Sequence, residues 1–109
     1  MIFYNNLEKN LKKFDTFADV LEKTSVKFPK KIFISDEKRD ISFEEMNILV
    51  NQCCNFFNQL NLKRNDVISI YLKNSIEFVI IYLASMRFGT IINPFPASLS
   101  INEVVKRTN

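Results

Sequence analysis

The chain has 109 residues and a formal net charge of +3, with basic residues spread among acidic ones, which argues against a nucleic-acid-binding surface defined by charge. Hydrophobic residues make up 47% of the sequence and charged residues 25%, as in ordinary folded domains, so we do not expect disorder. The chain has no histidine and one glycine, Gly89, which removes the commonest general base and metal ligand and excludes a glycine-rich phosphate loop within these residues.

The start of the sequence predicts a short amphipathic helix. Its apolar stripe, opposite a face of lysine and glutamate, comprises Phe3, Leu7, Leu11 and Phe14. A basic amphipathic segment can lie on a membrane surface, but we favour an N-terminal arm, residues 1–15, that docks on its own domain. We see no signal peptide after Met1, and the apolar run 76–86 is shorter than the roughly 20 residues of a membrane span. We therefore expect a cytoplasmic protein without a membrane span.

The α/β domain is predicted to begin with a helix and a hairpin. Thr16 and Asp19 nearly match a capping box, and Pro29 sets the end of the helix. The predicted apolar side of this helix comprises Phe17, Val20, Leu21, Thr24 and Phe28. Apolar runs on either side of a polar turn then predict a small antiparallel hairpin over residues 32–42.

A second, longer helix is predicted to begin after Ser42, which forms a capping box with Glu45. Asparagines and Glu44 occupy one side, which indicates a helix that is buried on the other side only. That predicted buried side comprises Met46, Leu49, Val50, Cys53, Phe56, Phe57 and Leu60. A polar turn over 61–65 follows.

Residues 66–94 form the centre of the predicted fold. A β-branched run over 66–72 predicts a strand buried on both faces, and a helix over 75–88 follows, capped by Asn74 or Ser75. Gly89 is predicted to end the helix in the left-handed conformation, and residues 90–93 give a second strand that Pro94 should stop. A crossover of this length favours two parallel strands, and a helix that is apolar all round should be covered on both sides. The fold class is therefore α/β, with a βαβ unit, a small hairpin and flanking helices.

The last residues predict one more helix. Ser100 and Glu103 form a capping box, so this helix should begin at Ile101. Because isolated helices shorter than about 12–15 residues are marginal in water, we expect the natural chain to continue beyond Asn109.

Carboxylate pairs and serines give no convincing catalytic group. Glu44 with Glu45, and Asp36 with Glu37, are neighbours that point apart and are better explained by helix capping and turn solvation. The candidate nucleophiles each precede a predicted helix, where a cap explains them: Ser42, Ser75 and Ser100.

The two cysteines, Cys53 and Cys54, are adjacent on a predicted helix, which suits neither a tetrahedral metal site nor an unstrained disulfide. Cys53 is expected in the core and Cys54 at its edge. The numerous aromatic residues fall on helix and strand faces, so we interpret them as core side chains and not as a platform for nucleic-acid bases.

Three phrases, in this order and spacing, resemble the opening of the AMP-forming acyl-CoA synthetase and adenylation-domain superfamily. They are ISFEEM at residues 41–46, NDVISIYLKNSIEF at 65–78 and GTIINPFP at 89–96. Asn65 stands where the family usually has glycine, a change that asparagine tolerates because it also adopts left-handed backbone geometry. The resemblance covers about residues 16–105.

The resemblance implies that residues 1–109 are the N-terminal fragment of the large AMP-binding domain, with residues 16–109 as the start of its α/β part. It implies ATP, Mg2+ and coenzyme A for a full-length parent that joins a carboxylic acid to a thiol through an acyl-adenylate, or an adenylation domain that loads a carrier protein. The phosphate loop, the nucleotide motifs and the catalytic lysine of that family match nothing here. No catalytic, cofactor-binding or metal residue is therefore assigned, and the fragment alone is expected to be inactive and to bind none of these groups.

A different class of function stays open. The chain would serve as a free-standing interaction module if an exposed apolar face, for example on the helix over 76–88, docked a protein partner. A nucleic-acid binder is a distant third hypothesis, and it would require an affinity that falls steeply with salt.

Overall fold

The computed structural model describes residues 16–95, which form three helices and two small sheets. In chain order these are α1 (Phe17–Lys27), β1 (Ile32–Ser35), β2 (Asp40–Ser42), α2 (Phe43–Gln59), β3 (Val67–Tyr71), α3 (Ile76–Phe88) and β4 (Ile91–Phe95). The predicted N-terminal amphipathic helix and the predicted helix from Ile101 lie outside the described residues. The α/β class and the βαβ unit are confirmed.

Capping residues set the starts of all three described helices. Thr16 and Ser42 each complete a capping box, with Asp19 and Glu45 respectively, as the sequence predicts. At α3 the cap is Ser75, whose hydroxyl accepts a hydrogen bond from the backbone N–H of Phe78 at 3.2 Å. These bonds satisfy backbone donors that a helix leaves unpaired in its first turn.

Gly89 ends α3 in the left-handed region, with φ of 97°, as predicted. Its N–H donates to the carbonyl of Ser85, and its own carbonyl accepts from the N–H of Asn65. Asn65 itself has a positive φ of 72°, which confirms that asparagine supplies the left-handed geometry expected of glycine at this position. The glycine therefore joins the end of α3 to the turn that precedes β3.

The sheets are both two-stranded. In the hairpin, β1 and β2 are antiparallel, with Ile34 opposite Ile41 and an irregular register near Ile32. In the βαβ unit, β3 and β4 are parallel, with Val67 opposite Ile91 and Tyr71 opposite Phe95. The predicted parallel crossover is thus confirmed.

The predicted stop at Pro94 is wrong, because β4 continues through it to Phe95. The N–H of Ile91 donates to the carbonyl of Asp66 at 2.8 Å, so the polar groups of Ile91 face β3. Backbone groups alternate between the two edges of a strand, so the nitrogen of Pro94 faces away from β3 and the ladder loses no hydrogen bond.

The core lies where α1, α2 and α3 pack together under the hairpin. Its buried apolar side chains form one cluster: Leu21, Ile41, Met46, Val50, Phe57, Ile76, Leu83 and Ala84. Met46, Val50 and Ala84 are 0% exposed. The guanidinium of Arg87 on α3 links the three helices. It donates hydrogen bonds to the side-chain oxygen of Asn51 on α2 and to the backbone carbonyl of Ala18 on α1.

Several side chains predicted to be buried are instead exposed. Phe56 and Leu60 are both 54% exposed, since Phe56 lies beside the buried stripe of α2 and Leu60 follows its last residue. Phe17 and Phe28 at the two ends of α1 are also exposed. The predicted burial of β3 on both faces is wrong for the part of the chain that is described, where Val67 is 60% exposed.

Candidate functional site

The open side of α3 is the most distinctive surface of the described structure. α1 and α2 pack on the other side of this helix, where Ala84 is buried. On the open side, the rings of Phe78 and Tyr82 stack with centroids 6.2 Å apart. The expectation that α3 is covered on both sides is therefore not met by residues 16–95, where Tyr82 remains 42% exposed.

An apolar groove of about 360 Å³ runs along this side of α3, and we call it the α3 groove. Its lining side chains come from α1, β1 and α3: Phe17, Phe33, Phe78, Val79, Tyr82, Leu83 and Met86. A second depression, which shares Tyr82 and Met86, continues toward Thr90 and Pro94 of the βαβ unit. A surface of this chemistry suits an apolar partner segment.

The polar residues beside the groove form an ion cluster that links the hairpin to α3. Arg39 contacts Asp36 within the hairpin turn at 3.0 Å and Glu77 in the first turn of α3 at 2.9 Å. The backbone N–H of Lys38 holds the pKa of Asp36 below its usual value, and Arg39 lowers it further. Glu77 has a lowered pKa because of its own backbone N–H and then Arg39, and both carboxylates in turn raise the pKa of Arg39.

This cluster is exposed and internally paired, so it stabilises a contact between two elements and does not assemble reactive groups. Sequence reasoning missed the bridge between Arg39 and Glu77, because no local pattern connects a hairpin turn to a helix start so far along the chain. It also did not predict which side of α3 stays open.

The serines and carboxylates considered from the sequence are engaged in local bonds. Ser42 and Ser75 serve as helix caps, and Ser100 lies outside the described residues. Glu45 accepts from the backbone N–H of Ser42, and Glu44 pairs with Lys30 at 3.1 Å on the surface.

Both cysteines are partly buried and free of a disulfide. Burial raises the pKa of each thiol, which disfavours the reactive thiolate, and the Sγ of Cys54 lies 3.5 Å from the carbonyl oxygen of Ala84. Cys53 and Cys54 both pack, partly buried, against the core cluster, so Cys53 is a core residue that is not completely covered.

No group of three metal-ligating side chains converges within residues 16–95. The same part of the chain has no helix that is long and apolar enough to span a membrane.

Comparison with known proteins gives a consistent family. Residues 21–109 match the family model described as AMP-binding enzyme. A curated relative, 4-coumarate–CoA ligase-like 6 of Arabidopsis thaliana, is 30% identical over 70 residues, which are 63% of this chain and 12% of the relative. The chain thus spans about an eighth of the length of the curated relatives it matches.

Solved structures agree on the fold. A mutant form of coronafacic acid ligase from Pectobacterium brasiliense superposes with a TM-score of 0.77 and 24% identity, over 83% of this chain and 18% of the ligase. An artificially fused adenylation–PCP di-domain of Klebsiella oxytoca, NpsA-ThdA, gives a TM-score of 0.73 with 23% identity, over 82% of this chain and 18% of that one. These likenesses identify the N-terminal subdomain architecture of adenylate-forming enzymes.

Proposed function

The chain belongs to the AMP-binding enzyme family, and from this membership we propose that it forms the N-terminal part of a carboxylate-activating ligase. In the proposed reaction a carboxylate oxygen attacks the α-phosphate of ATP, pyrophosphate leaves, and an acyl-adenylate forms. The thiol of coenzyme A then attacks the acyl carbonyl, AMP leaves, and a thioester forms. The observation that carries the proposal is the family match over residues 21–109.

We assign the described residues to the framework of the ligase and not to its reacting centre. Phosphoryl chemistry of this kind needs groups that position two anions and neutralise developing charge. Within residues 16–95 no three metal-ligating side chains converge to form a metal cage. These residues also do not fit a triphosphate cradle, because their one glycine, Gly89, is occupied in ending α3. The parent would bind Mg2+ and the triphosphate with other parts of its chain.

The shape of the βαβ unit supports the framework role. Parallel strands are usually covered on both faces, yet Val67 of β3 and Ile91 of β4 are 60% and 50% exposed among the described residues. Because about half of each side chain is already covered, its complete burial by further layers of a larger domain would contribute about 1–2 kcal/mol. The remainder of the parent chain is therefore the first partner we propose, with the acid and coenzyme A as its substrates in the cytoplasm.

The proposal is tested by extending the reading frame past the codon for Asn109. The longer protein and the 109-residue chain are then assayed side by side. We expect the longer protein to carry a Ser/Thr/Gly-rich loop with a lysine, and to exchange labelled pyrophosphate into ATP when the correct acid is present. The 109-residue chain alone should show no exchange above a buffer control. Exchange by this chain alone would refute the framework assignment, and a reading frame that stops at Asn109 would refute the ligase.

A carrier-protein thiol is the alternative acceptor, favoured by the structural likeness to NpsA-ThdA, an artificially fused adenylation–PCP di-domain. The two acceptors are separated by supplying coenzyme A or a phosphopantetheinylated carrier protein to the extended chain. Thioester on coenzyme A supports the acyl-CoA ligase, whereas thioester on the carrier alone supports an adenylation domain.

A non-catalytic interaction module is the second candidate function, and the open α3 groove is the observation that favours it. A module should be a discrete monomer or defined dimer at micromolar concentration. A severed framework should aggregate or bind a dye that reports exposed apolar surface. Sedimentation velocity with a dye-binding assay therefore distinguishes the module from the ligase fragment.

A further inference from the structure

The α3 groove is an apolar surface that the described residues leave open. Phe17 is 49% exposed and Tyr82 is 42% exposed, although both rings line the groove beside the half-buried Phe78 and Met86. Moving such side chains out of water is favourable by roughly 25 cal/mol for each Å² covered. The groove is thus a site at which a complementary segment gains stability by docking.

A segment of suitable chemistry is attached at the rim of the groove. The chain reaches the described structure at Thr16, the cap of α1, and the next residue, Phe17, is itself a wall of the groove. The preceding residues carry the apolar stripe formed by Phe3, Leu7, Leu11 and Phe14. Because this segment is covalently tethered, its effective concentration at the groove is in the millimolar range typical of short linkers.

The spacing of the two apolar rows also matches. Phe78, Tyr82 and Met86 recur every four residues along α3. Phe3, Leu7 and Leu11 have the same interval and would, as a helix, form a row of equal length, about 12 Å at roughly 1.5 Å per residue. Rows with this interval are the ridges that interdigitate when helices pack.

The charge pattern fits this orientation as well. With the apolar stripe facing the groove, Lys9, Lys12 and Lys13 would face water, where they cost no desolvation. We propose that residues 3–14 dock as an amphipathic helix in the α3 groove, with the stripe of Phe3, Leu7 and Leu11 against Phe78, Tyr82 and Met86. This docking is independent of the ligase proposal.

The chain contains no tryptophan, so a single introduced indole reports on the segment without background. We would compare Leu11→Trp on the apolar stripe with the matched control Lys12→Trp on the charged side, both in the 109-residue chain. The Leu11→Trp indole should emit at shorter wavelength and show an acrylamide quenching constant about threefold lower than the control, because packed side chains exclude the quencher.

A second substitution connects the shielding to the groove. In the Leu11→Trp chain, Tyr82→Glu places a charge in the groove and should restore quenching to the control level, whereas Ile48→Glu, at an exposed site on α2, should leave the shielding intact. Phe17→Glu provides an independent groove variant, since a carboxylate is favoured in the first turn of α1 and the helix should still form. Circular dichroism at 222 nm checks the folding of each variant.

Three results would overturn the docking. The first is equal quenching of the two reporter positions, and the second is shielding that persists in both folded groove variants. The third is shielding that disappears on dilution together with a dimer mass in sedimentation, which would assign the groove to a second copy of the chain. None of these readouts depends on enzymatic activity, so failure of the docking is distinguishable from failure of the ligase proposal.

Discussion

Gly89→Ala tests whether the end of α3 depends on left-handed backbone geometry. Gly89 has φ of 97°, and it connects Ser85 to Asn65 through two backbone hydrogen bonds of 2.8 Å. A residue with a Cβ in left-handed geometry costs about 1–2 kcal/mol. The added Cβ would also lie 3.0 Å from the Cγ of Arg64, a contact that this exposed, flexible side chain can relieve by moving.

The net magnitude follows from two opposing effects. Alanine restricts the unfolded chain more than glycine does, which returns about 0.4–1 kcal/mol to the folded state. We therefore expect Gly89→Ala to lower the free energy of unfolding by about 1 kcal/mol, or the Tm by about 4–8 °C for a domain of this size. Gly89→Asn should cost less, because asparagine adopts left-handed geometry more readily.

The assay is thermal and urea unfolding of the 109-residue chain, followed by circular dichroism at 222 nm. Gly89→Val should show the largest loss of stability in the series, since β-branched residues adopt left-handed backbone geometry least readily. The expected order of stability is glycine, asparagine, alanine, valine. If alanine and asparagine proved equally stable, or if alanine raised the Tm, the strain argument would be refuted.

Three further changes test the caps, the core and the ion cluster by the same unfolding assay. Ser42→Ala removes the cap of α2 and should cost about 1 kcal/mol, while Ser69→Ala at an exposed strand position should cost less than half of that. Met46→Ala empties a fully buried site and should cost about 2–5 kcal/mol, in contrast to Ile48→Ala on the exposed side of the same helix. The pKa of Asp36 is lower in the folded state than in the unfolded chain, where it is about 4. The ionised Asp36 carboxylate therefore stabilises the fold at pH values above the unfolded pKa. This stabilisation is lost as the pH falls through the folded pKa. Between about pH 5 and pH 3 the urea concentration at the unfolding midpoint should therefore fall less in Asp36→Asn than in the wild-type chain. An equal fall in both chains would contradict the stabilising role of the Asp36 carboxylate.

Local chemistry made much of this fold predictable. The hydroxyl of Ser42 and the side chain of Glu45 are three residues apart, so their capping box is visible in the sequence and confirmed in the structure. The end of α3 at Gly89 was equally predictable, because only glycine adopts a φ of 97° without strain. The parallel crossover also followed from the length of the segment between two β-branched runs.

Long-range contacts were not predictable in this way. Arg87 meets Asn51 and Ala18, which lie 36 and 69 residues earlier in the chain, and no periodicity relates these positions. The same holds for the groove: α3 is apolar on every side, so its sequence cannot indicate which side the other helices cover. The expected absence of catalytic residues stays a prediction.

Pro94 has a consequence for how the βαβ unit avoids self-association. Within β4, Ile92 and Pro94 direct their backbone away from β3, and of these two only Ile92 has an N–H to donate. A strand from another molecule that approached this edge would find a broken row of donors, whereas Val67 and Ser69 on the far edge of β3 both retain theirs. Proline at such an edge is a known protection against amyloid-like stacking. Pairing of a further strand is therefore less favourable at the β4 edge than at the β3 edge.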